Sequence, residues 1–383
     1  MDLFGFYDIT NFDFYVNEKY SYFLINRAVF NVCIAFVSYY IGYIVFYCVK
    51  KDTHLMLKSA KINISDSSCY FLITLGLIVK LYYAIDVFFE IISKGYLALY
   101  TGDLQLAQKN IFINIIMGLY DVGMFVMLFS RPGLSKKIIY ISFVNMILSF
   151  ANGQRGPGAL LFIFVCFIYY HRNKSKIKIN PIKIGYTIVL FIFILSFVGW
   201  LRSDRDNNYE FSILNFIWSR GASLLVLVES IRWESIIDYD FLDLFGQIYY
   251  FVDYYCLKLL GESFPVSFLD LPIYYKFYSG YISYISNSTM YDMGFGIGGS
   301  YVAELFSVGK ECAQFVGGIC VGLLVNIFYF YFLNSRGFAK FYSFHILPFL
   351  LYIPRDNMLD FILQDWWVCI SYLLVLFYVK SKK

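Results

Sequence analysis

Arginine side chains stand at the ends of several apolar runs, where a guanidinium can bind a phosphate or a carboxylate. Arg155 lies in "NGQRGPG" between two such runs, Arg202 and Arg205 lie in "WLRSDRDNN" after another, and Arg355 lies in "YIPRDNMLDF" after a third. The planar guanidinium fork holds such an anion through two hydrogen bonds at once, which a lysine ammonium does not do. The four arginines therefore predict a binding site for an anionic group, such as a phosphate, at the edge of the apolar runs.

One carboxylate is a candidate for acid–base chemistry. Glu304 follows the glycine-rich stretch 294–303, "GFGIGGSYVA", which can open a helix whose N-terminal amides face an anion. Its position near apolar residues makes Glu304 a candidate general base, and an ion pair with one of the arginines is the alternative. The eight cysteines and three histidines are dispersed without a CxxC pair, so the sequence predicts no metal site and no cofactor. We expect no nucleic-acid partner.

Membrane-spanning helices must position these side chains. The chain has 383 residues, of which 60% are hydrophobic and 15% charged, with a mean hydropathy of +0.62. Apolar runs that approach the roughly 20 residues needed to cross a bilayer occur near 28–49, 69–92, 111–130, 138–152, 156–171, 183–201, 311–333, 341–353 and 366–379. We predict an all-α polytopic membrane bundle of about 9–12 spans, with amphipathic runs at 211–231 and 244–260 that either cross the membrane or lie on it.

Basic residues alternate between the two sides of these spans. One set of connections holds 17 Lys or Arg and two acids, whereas the other set holds 13 Lys or Arg and 23 acids. The positive-inside rule places the first set in the cytoplasm. We therefore predict an N-terminal transmembrane bundle over 1–201, a large outer region with amphipathic helices over 202–310, and C-terminal transmembrane helices over 311–383. Arg155 then also lies outside.

The kind of base differs between the two sides as well. Cytoplasmic connections carry 14 Lys and 3 Arg, and outer ones carry 6 Lys and 7 Arg. An outer site for an anion explains this difference, because arginine is the better ligand for a phosphate. Chance together with ordinary ion pairing on the acid-rich outer side is the alternative explanation.

Several short motifs, in this order, resemble those of the O-antigen polymerase (Wzy) family of oligosaccharide repeat-unit polymerases. They are "GYLALY" at 95–100, "NGQRGPGALLFIF" at 152–164, "FIWSRGAS" at 216–223, "GGSYVAELFSVG" at 298–309 and "YIPRDNMLDF" at 352–361. The resemblance covers most of the chain. One departure is that the pattern of an Arg followed by ten residues and a Gly, which some members carry in two outer loops, is not found.

The resemblance implies a GT-C-like, metal-independent inverting glycosyltransferase in the bacterial inner membrane. It would polymerise undecaprenyl-pyrophosphate-linked oligosaccharides into O-antigen or a related surface polysaccharide on the periplasmic side, with a chain-length regulator as a protein partner. We expect Arg155, Arg355 and Glu304 to be catalytic. We also expect Arg155, Arg202, Arg205 and Arg355 to bind the pyrophosphate, because arginines must stabilise the leaving group where no metal does.

Two other functions fit a multi-span protein. An O-antigen ligase shares the architecture, but that family relies on a histidine in its large outer loop, and residues 202–310 contain none. A lipid-linked oligosaccharide flippase is expected to have two related halves and no long outer segment. Lys80, Asp86 and Asp121, which lie inside predicted spans, would suit its transport path.

Overall fold

A computed structural model describes residues 20–50, 64–94, 111–130, 137–151, 155–172, 193, 222–260, 270–292, 297–363 and 366–381. All regular structure in these ranges is helical, and they contain no strand. The helices are α1 Tyr22–Val49, α2 Asp66–Lys94, α3 Ile111–Ser130, α4 Lys137–Ala151, α5 Arg155–Arg172, α6 Ala222–Arg232, α7 Gly246–Leu260, α8 Leu271–Tyr274, α9 Tyr278–Ser286, α10 Ser288–Asp292, α11 Tyr301–Asn334, α12 Phe338–Leu350, α13 Asp360–Leu363 and α14 Trp367–Ser381, with 3-10 turns at Asp243–Phe245 and Ile353–Arg355.

The chain forms two compact units. The first contains Met1–His54, Ala222–Phe328 and Ile353–Gln364, and the second contains Leu55–Gly221, Tyr329–Tyr352 and Asp365–Lys383. The first unit thus unites α1 with much of the predicted outer region and most of α11. The predicted regions 1–201, 202–310 and 311–383 concern placement relative to the membrane, and they stay a prediction.

Small residues bring α1 and α11 into close contact in the first unit. The buried stripe of α1 includes Ala35, Ser38 and Gly42, which recur every three or four residues as one face of a helix requires. A Cβ atom at Gly322 would collide with the backbone of Tyr39 on α1. Close backbone approach at small residues is a common way for helices to associate in a membrane, so these positions fix the α1–α11 contact.

A buried helix and a group of ion pairs complete the first unit. All residues from Leu225 to Ile231 of α6 are buried, so α6 is enclosed and does not resemble an amphipathic surface helix. Arg27 of α1 contacts Glu234 at 3.0 Å and Glu311 at 3.5 Å. Its guanidinium lies 5.2 Å from the centroid of the Phe306 ring. Arg27 is therefore engaged in holding the unit together.

Helix α11 is interrupted near its start. Gly309 and Lys310 have non-helical backbone angles, and Lys310 has φ 54°, a left-handed conformation that is uncommon for a residue with a side chain. The interruption separates a short helical segment, 301–308, from a longer one, 311–334. The longer segment alone reaches the length that a membrane span needs.

Aromatic rings form the core of the second unit. Phe125 of α3 packs edge-on against Phe341 of α12 with ring centroids 5.1 Å apart, and Phe341 stacks on Tyr372 of α14 at 4.2 Å. Helices α4 and α5 pair through Phe143 and Phe162, whose ring centroids are 5.6 Å apart. This contact packs α5, which starts at Arg155, against α4.

Two of the bases assigned to the cytoplasmic side bind helix ends in the second unit. Lys340 is fully buried and donates hydrogen bonds to the carbonyl oxygens of Phe332 and Leu333 at 2.6 and 3.4 Å. Arg172 donates to the carbonyl oxygen of Leu128. The last carbonyls of a helix have no partner within it, and cations stabilise that end. These bases therefore stabilise helix ends, in addition to the part they play in predicting the orientation of the protein.

Five helical segments among the described residues are long and apolar enough to cross a membrane: Tyr22–Val49, Asp66–Val87, Ile111–Phe129, Tyr301–Asn334 and the stretch Asp360–Val379, which includes α13 and most of α14. Lys137–Phe150 and Gly158–Arg172 are shorter apolar helices. The predicted all-α polytopic membrane fold is confirmed. The count of about 9–12 spans stays a prediction, and the predicted span 183–201 lies outside the described residues except for Phe193.

Candidate functional site

Glu304 is buried in the first unit, where two protein donors hold its carboxylate. The side chain lies in the first turn of α11 and is 2% exposed. Its Oε1 atom accepts a hydrogen bond of 2.8 Å from the Tyr239 hydroxyl, and its Oε2 atom accepts one of 2.5 Å from the backbone N–H of Met358. No ion pair of Glu304 with an arginine occurs among the described residues. A carboxylate with two such donors ties together three segments that are distant in sequence.

Tyr239 belongs to a small network of hydroxyl groups. Its ring packs edge-on against Tyr278 with ring centroids 5.1 Å apart. The Tyr278 hydroxyl shares hydrogen bonds with the hydroxyls of Ser230 and Ser307. Burial and the negative charge of Glu304 raise the pKa of Tyr239 above its ordinary value, so Tyr239 remains protonated and keeps donating to the carboxylate.

The turn after the 3-10 helix Ile353–Arg355 packs against the glycine-rich segment. The Asn357 side chain accepts a hydrogen bond from the Ser279 N–H at 3.2 Å and donates one to Asp360 at 2.8 Å. A Cβ atom at Gly299 would lie 2.9 Å from the Asn357 side-chain oxygen, so the close approach requires glycine at this position. Two of the motifs noted in the sequence, at 298–309 and 352–361, therefore form one structure.

Arg355 is carried by this turn. It is half-buried, and it makes no hydrogen bond or ion pair with other described residues. The neighbouring Asp356 accepts a hydrogen bond from the Asn357 N–H at 3.1 Å and bonds to Asp360, instead of pairing with Arg355. Burial raises the pKa of Asp356, and these hydrogen bonds offset only part of the increase. The Arg355 guanidinium therefore remains available to a ligand.

The other predicted arginines are not brought to this site by the described structure. Arg155 is the first residue of α5 and belongs to the second unit, and its side chain lies outside what is described. Arg202 and Arg205 lie outside the described residues altogether. A common site for all four arginines thus stays a prediction.

Sequence reasoning missed the groups that hold Glu304. Tyr239 is one of 37 tyrosines, and nothing in its spacing distinguishes it from the others. The Met358 contact is made by a backbone amide, which no residue type reveals. Asn357, which helps to hold the same turn, was visible inside the motif "YIPRDNMLDF" next to Asp356, but its contacts with Ser279 and Asp360 were not.

A family model described as O-antigen polysaccharide polymerase Wzy matches residues 3–383. The chain belongs to this Wzy family. No curated protein and no solved structure matches it. Membership of the Wzy family implies polymerisation of O-antigen repeat units by a glycosyltransferase that acts on lipid-linked oligosaccharides in a membrane. The apolar helices agree with a multi-pass membrane protein of this kind.

Proposed function

We propose that this Wzy protein joins undecaprenyl-pyrophosphate-linked oligosaccharides on the periplasmic side of the bacterial inner membrane. The match over residues 3–383 is the observation that carries the polymerase activity. The excess of Lys and Arg in one set of connections supports the orientation, because such loops stay in the cytoplasm. The acid- and arginine-rich connections, including the turn with Arg355, then face the periplasm.

The proposed reaction is a metal-independent, inverting glycosyl transfer. A hydroxyl of the new repeat unit attacks the anomeric carbon of the growing chain from the face opposite the pyrophosphate. The bond from that carbon to the pyrophosphate oxygen breaks, and undecaprenyl pyrophosphate leaves with the electron pair. The hydroxyl proton passes to a base. Negative charge that develops on the leaving oxygen must be stabilised by fixed positive groups.

Arg355 is the best supported of these positive groups. It is half-buried, without an ion pair among the described residues, on a turn that is fixed by the contacts of Glu304 and Asn357. A guanidinium held in place can bind two pyrophosphate oxygens together. Arg155 is proposed as a second pyrophosphate ligand, with Arg202 or Arg205 assisting.

Glu304 is proposed to hold the turn that carries Arg355, through its bond to Met358. The general-base role also stays a proposal. For that role, one carboxylate oxygen must reach the acceptor hydroxyl, within about 3 Å. Since both oxygens accept protein hydrogen bonds, substrate would have to use a remaining lone pair or displace a donor. The two roles predict different effects of the substitution Glu304→Gln.

Purified protein mixed with lipid-linked repeat units tests the function directly. A polymerase makes a ladder of products in the presence of EDTA, because the proposed chemistry uses no metal. A flippase makes no ladder, and a ligase needs a different acceptor. Without the chain-length regulator expected as a partner, we expect the ladder to lack a preferred length. If folded wild-type protein makes no ladder, the polymerase proposal is rejected.

A further inference from the structure

The second unit contains a cavity with several polar side chains among largely apolar helices. Its volume is about 200 Å³, and its wall includes Lys80 of α2, Asp121 of α3, Asn145 of α4, His345 and Phe349 of α12, and Trp367 of α14. Ionisable residues inside membrane helices are costly to bury and usually mark a functional site. None of these residues has a part in the chemistry proposed above.

A lysine and an aspartate form the charged part of the wall. The Lys80 Nζ atom lies 3.3 Å from Asp121 Oδ2 and donates a hydrogen bond of 3.2 Å to Asn145 Oδ1. It also lies 4.3 Å from the centroid of the Tyr120 ring. The two charges cancel, so the cavity has donors and acceptors but no excess charge. A phosphate placed here would meet the Asp121 carboxylate, which repels it.

His345 supplies a polar atom that the protein does not satisfy. The residue is 7% exposed, and its Nε2 atom has no hydrogen-bond partner among the described residues. Its ring lies between Phe341 and Phe349, with centroid distances of 6.5 and 5.4 Å. Buried polar atoms are almost always paired, so this nitrogen on the cavity wall indicates a ligand that completes its hydrogen bonding.

The cavity lies toward one end of the helices that line it. Ser149 is near the end of α4, Trp367 is the first residue of α14, and Gly158 in the first turn of α5 also lines the cavity. Arg155 begins α5 one turn before Gly158. By the predicted topology, this is the periplasmic end of the unit.

We propose that this cavity binds one sugar ring of the lipid-linked oligosaccharide. This inference rests on the proposed function for the identity of the ligand. A sugar ring is neutral, presents hydroxyls to the mixed donors and acceptors, and has apolar faces for Trp367 and Phe349. A cavity of this volume corresponds to about seven water molecules. That is the scale of one ring, and it is below the roughly 300 Å³ of sites for larger ligands.

Two variants remove polar groups without leaving a charge unpaired. His345→Phe keeps the aromatic packing with Phe341 and Phe349 and removes the nitrogen. Lys80→Met combined with Asp121→Asn removes both charges together. His171→Phe is the matched control, because His171 also stacks on a phenylalanine, Phe167, at 6.2 Å but does not line the cavity.

The test compares binding of two probes to detergent-purified protein: the lipid-linked repeat unit, and undecaprenyl pyrophosphate without sugar. We expect wild type and His171→Phe to bind the repeat unit more tightly than the sugar-free lipid. Both cavity variants should lose about tenfold in affinity for the repeat unit, the size of one lost hydrogen bond, and bind the sugar-free lipid as wild type does.

Equal affinity of wild type for both probes would overturn the inference, and so would unchanged binding of the repeat unit by both variants, which would make the cavity a hydrated part of the core. Weaker binding of both probes by the cavity variants would also overturn the inference, because the defect would then not be specific to sugar. The measurement needs no polymerisation. Sugar-dependent binding without a ladder would reject the proposed function and leave the sugar site standing.

Discussion

Arginines that look alike in sequence differ in what they contact. Arg27 is paired with Glu234 and Glu311, and Arg232 lies 3.8 Å from Glu229. These three contacts match ordinary ion pairing on an acid-rich side. Arg355 has no such pair among the described residues, and it stands on a turn whose position is fixed. The available guanidinium is therefore the one to test first.

Arg355→Lys and Arg155→Lys should each abolish or greatly reduce polymer while protein levels persist. Lysine keeps the charge but cannot make the bidentate contact. Polymer is measured as a ladder from cells that carry each variant, with membrane protein quantified in parallel. Arg336→Lys and Arg131→Lys, on the predicted cytoplasmic side, are the controls and should be nearly silent. Normal polymer from both test variants would exclude these side chains as the pyrophosphate ligands.

Substituting Glu304 by glutamine separates its two proposed roles. The side-chain oxygen of a glutamine can still accept the hydrogen bond from the Tyr239 hydroxyl. Its NH2 group would then face the Met358 N–H, and because both groups are donors, no hydrogen bond forms there. If Glu304 holds the turn, Glu304→Gln should lower the folded yield or substrate binding, since an unpaired buried group costs about 1–3 kcal/mol. If Glu304 is the base, the rate should fall by about 10²–10⁴ with unchanged binding.

Tyr239→Phe helps to interpret that result. It removes the donor to Glu304 and leaves the carboxylate and the Met358 bond in place, so the positioning role predicts a smaller defect than that of Glu304→Gln. Single-turnover rates and substrate affinity are measured for both variants. Wild-type behaviour of Glu304→Gln in both measurements would remove Glu304 from the mechanism.

The raised pKa of Asp356 predicts a pH-dependent stability. A carboxyl whose pKa is higher in the folded chain than in the unfolded chain favours folding while it is protonated, and this contribution is lost as pH rises through the folded pKa. Asp356→Asn stays neutral, so it should raise Tm relative to wild type more at pH 8 than at pH 5. The exposed Asp292→Asn is the control. An equal shift of Tm at both pH values would contradict the prediction.

At the scale of helices, bounds followed from the sequence where apolar runs ended at charges or turn residues. The run 111–130 was predicted and corresponds to α3, Ile111–Ser130. Helix α1 begins six residues before the predicted 28–49, because Ser21 caps it and Arg27 lies within it, paired with glutamates. A search for apolar runs stops at such an arginine, because the sequence does not show that its charge is paired with a glutamate. The predicted run 311–333 begins directly after the interruption of α11 and corresponds to its longer segment, 311–334, because Lys310 marks the start of the run.

The α1–α11 contact should fail when its smallest residue is enlarged. Gly322→Leu places a side chain where the Tyr39 backbone lies, and overpacking costs about 1–3 kcal/mol or more. We expect a lower Tm and less monodisperse protein in detergent. Val316→Leu on the same helix is the control, since Val316 is 61% exposed. Equal behaviour of the two variants would show that the close approach does not determine stability.

At the scale of the whole molecule, the distribution of bases determines orientation. Residues 50–61, 131–137, 172–182, 334–340 and 380–383 are predicted to be cytoplasmic, and 202–296 periplasmic. Single cysteines at 174 and 207 are labelled with an impermeant reagent in intact cells, on a cysteine-free background because native Cys48 and Cys256 are exposed. We expect labelling at 207 alone. Labelling at 174 alone would reverse the orientation and displace the proposed site.

The candidate site was predictable only in part, because sequence motifs show residue types and not which segments meet. Glu304 and the turn with Arg355 were singled out separately, yet their contact through Met358 joins residues 54 positions apart. Three-dimensional packing decides such pairings, and the cavity beside Lys80 and Asp121 is another product of it. These two residues were noted only as charges inside spans.

The interruption at Gly309 and Lys310 has a mechanical consequence. A helix transmits tilt along its axis, and a change in bilayer thickness is commonly absorbed by tilting the span. Here the regular helical backbone geometry is interrupted at Gly309 and Lys310, between the span and Glu304, which lies on the short segment 301–308. The Gln314 side chain bridges the two segments by donating to the Val302 carbonyl oxygen at 2.8 Å. We therefore expect a thicker or thinner hydrocarbon layer to change the angle at Gly309 and Lys310 only as far as this bond allows, and the carboxylate to keep its contacts with Tyr239 and Met358.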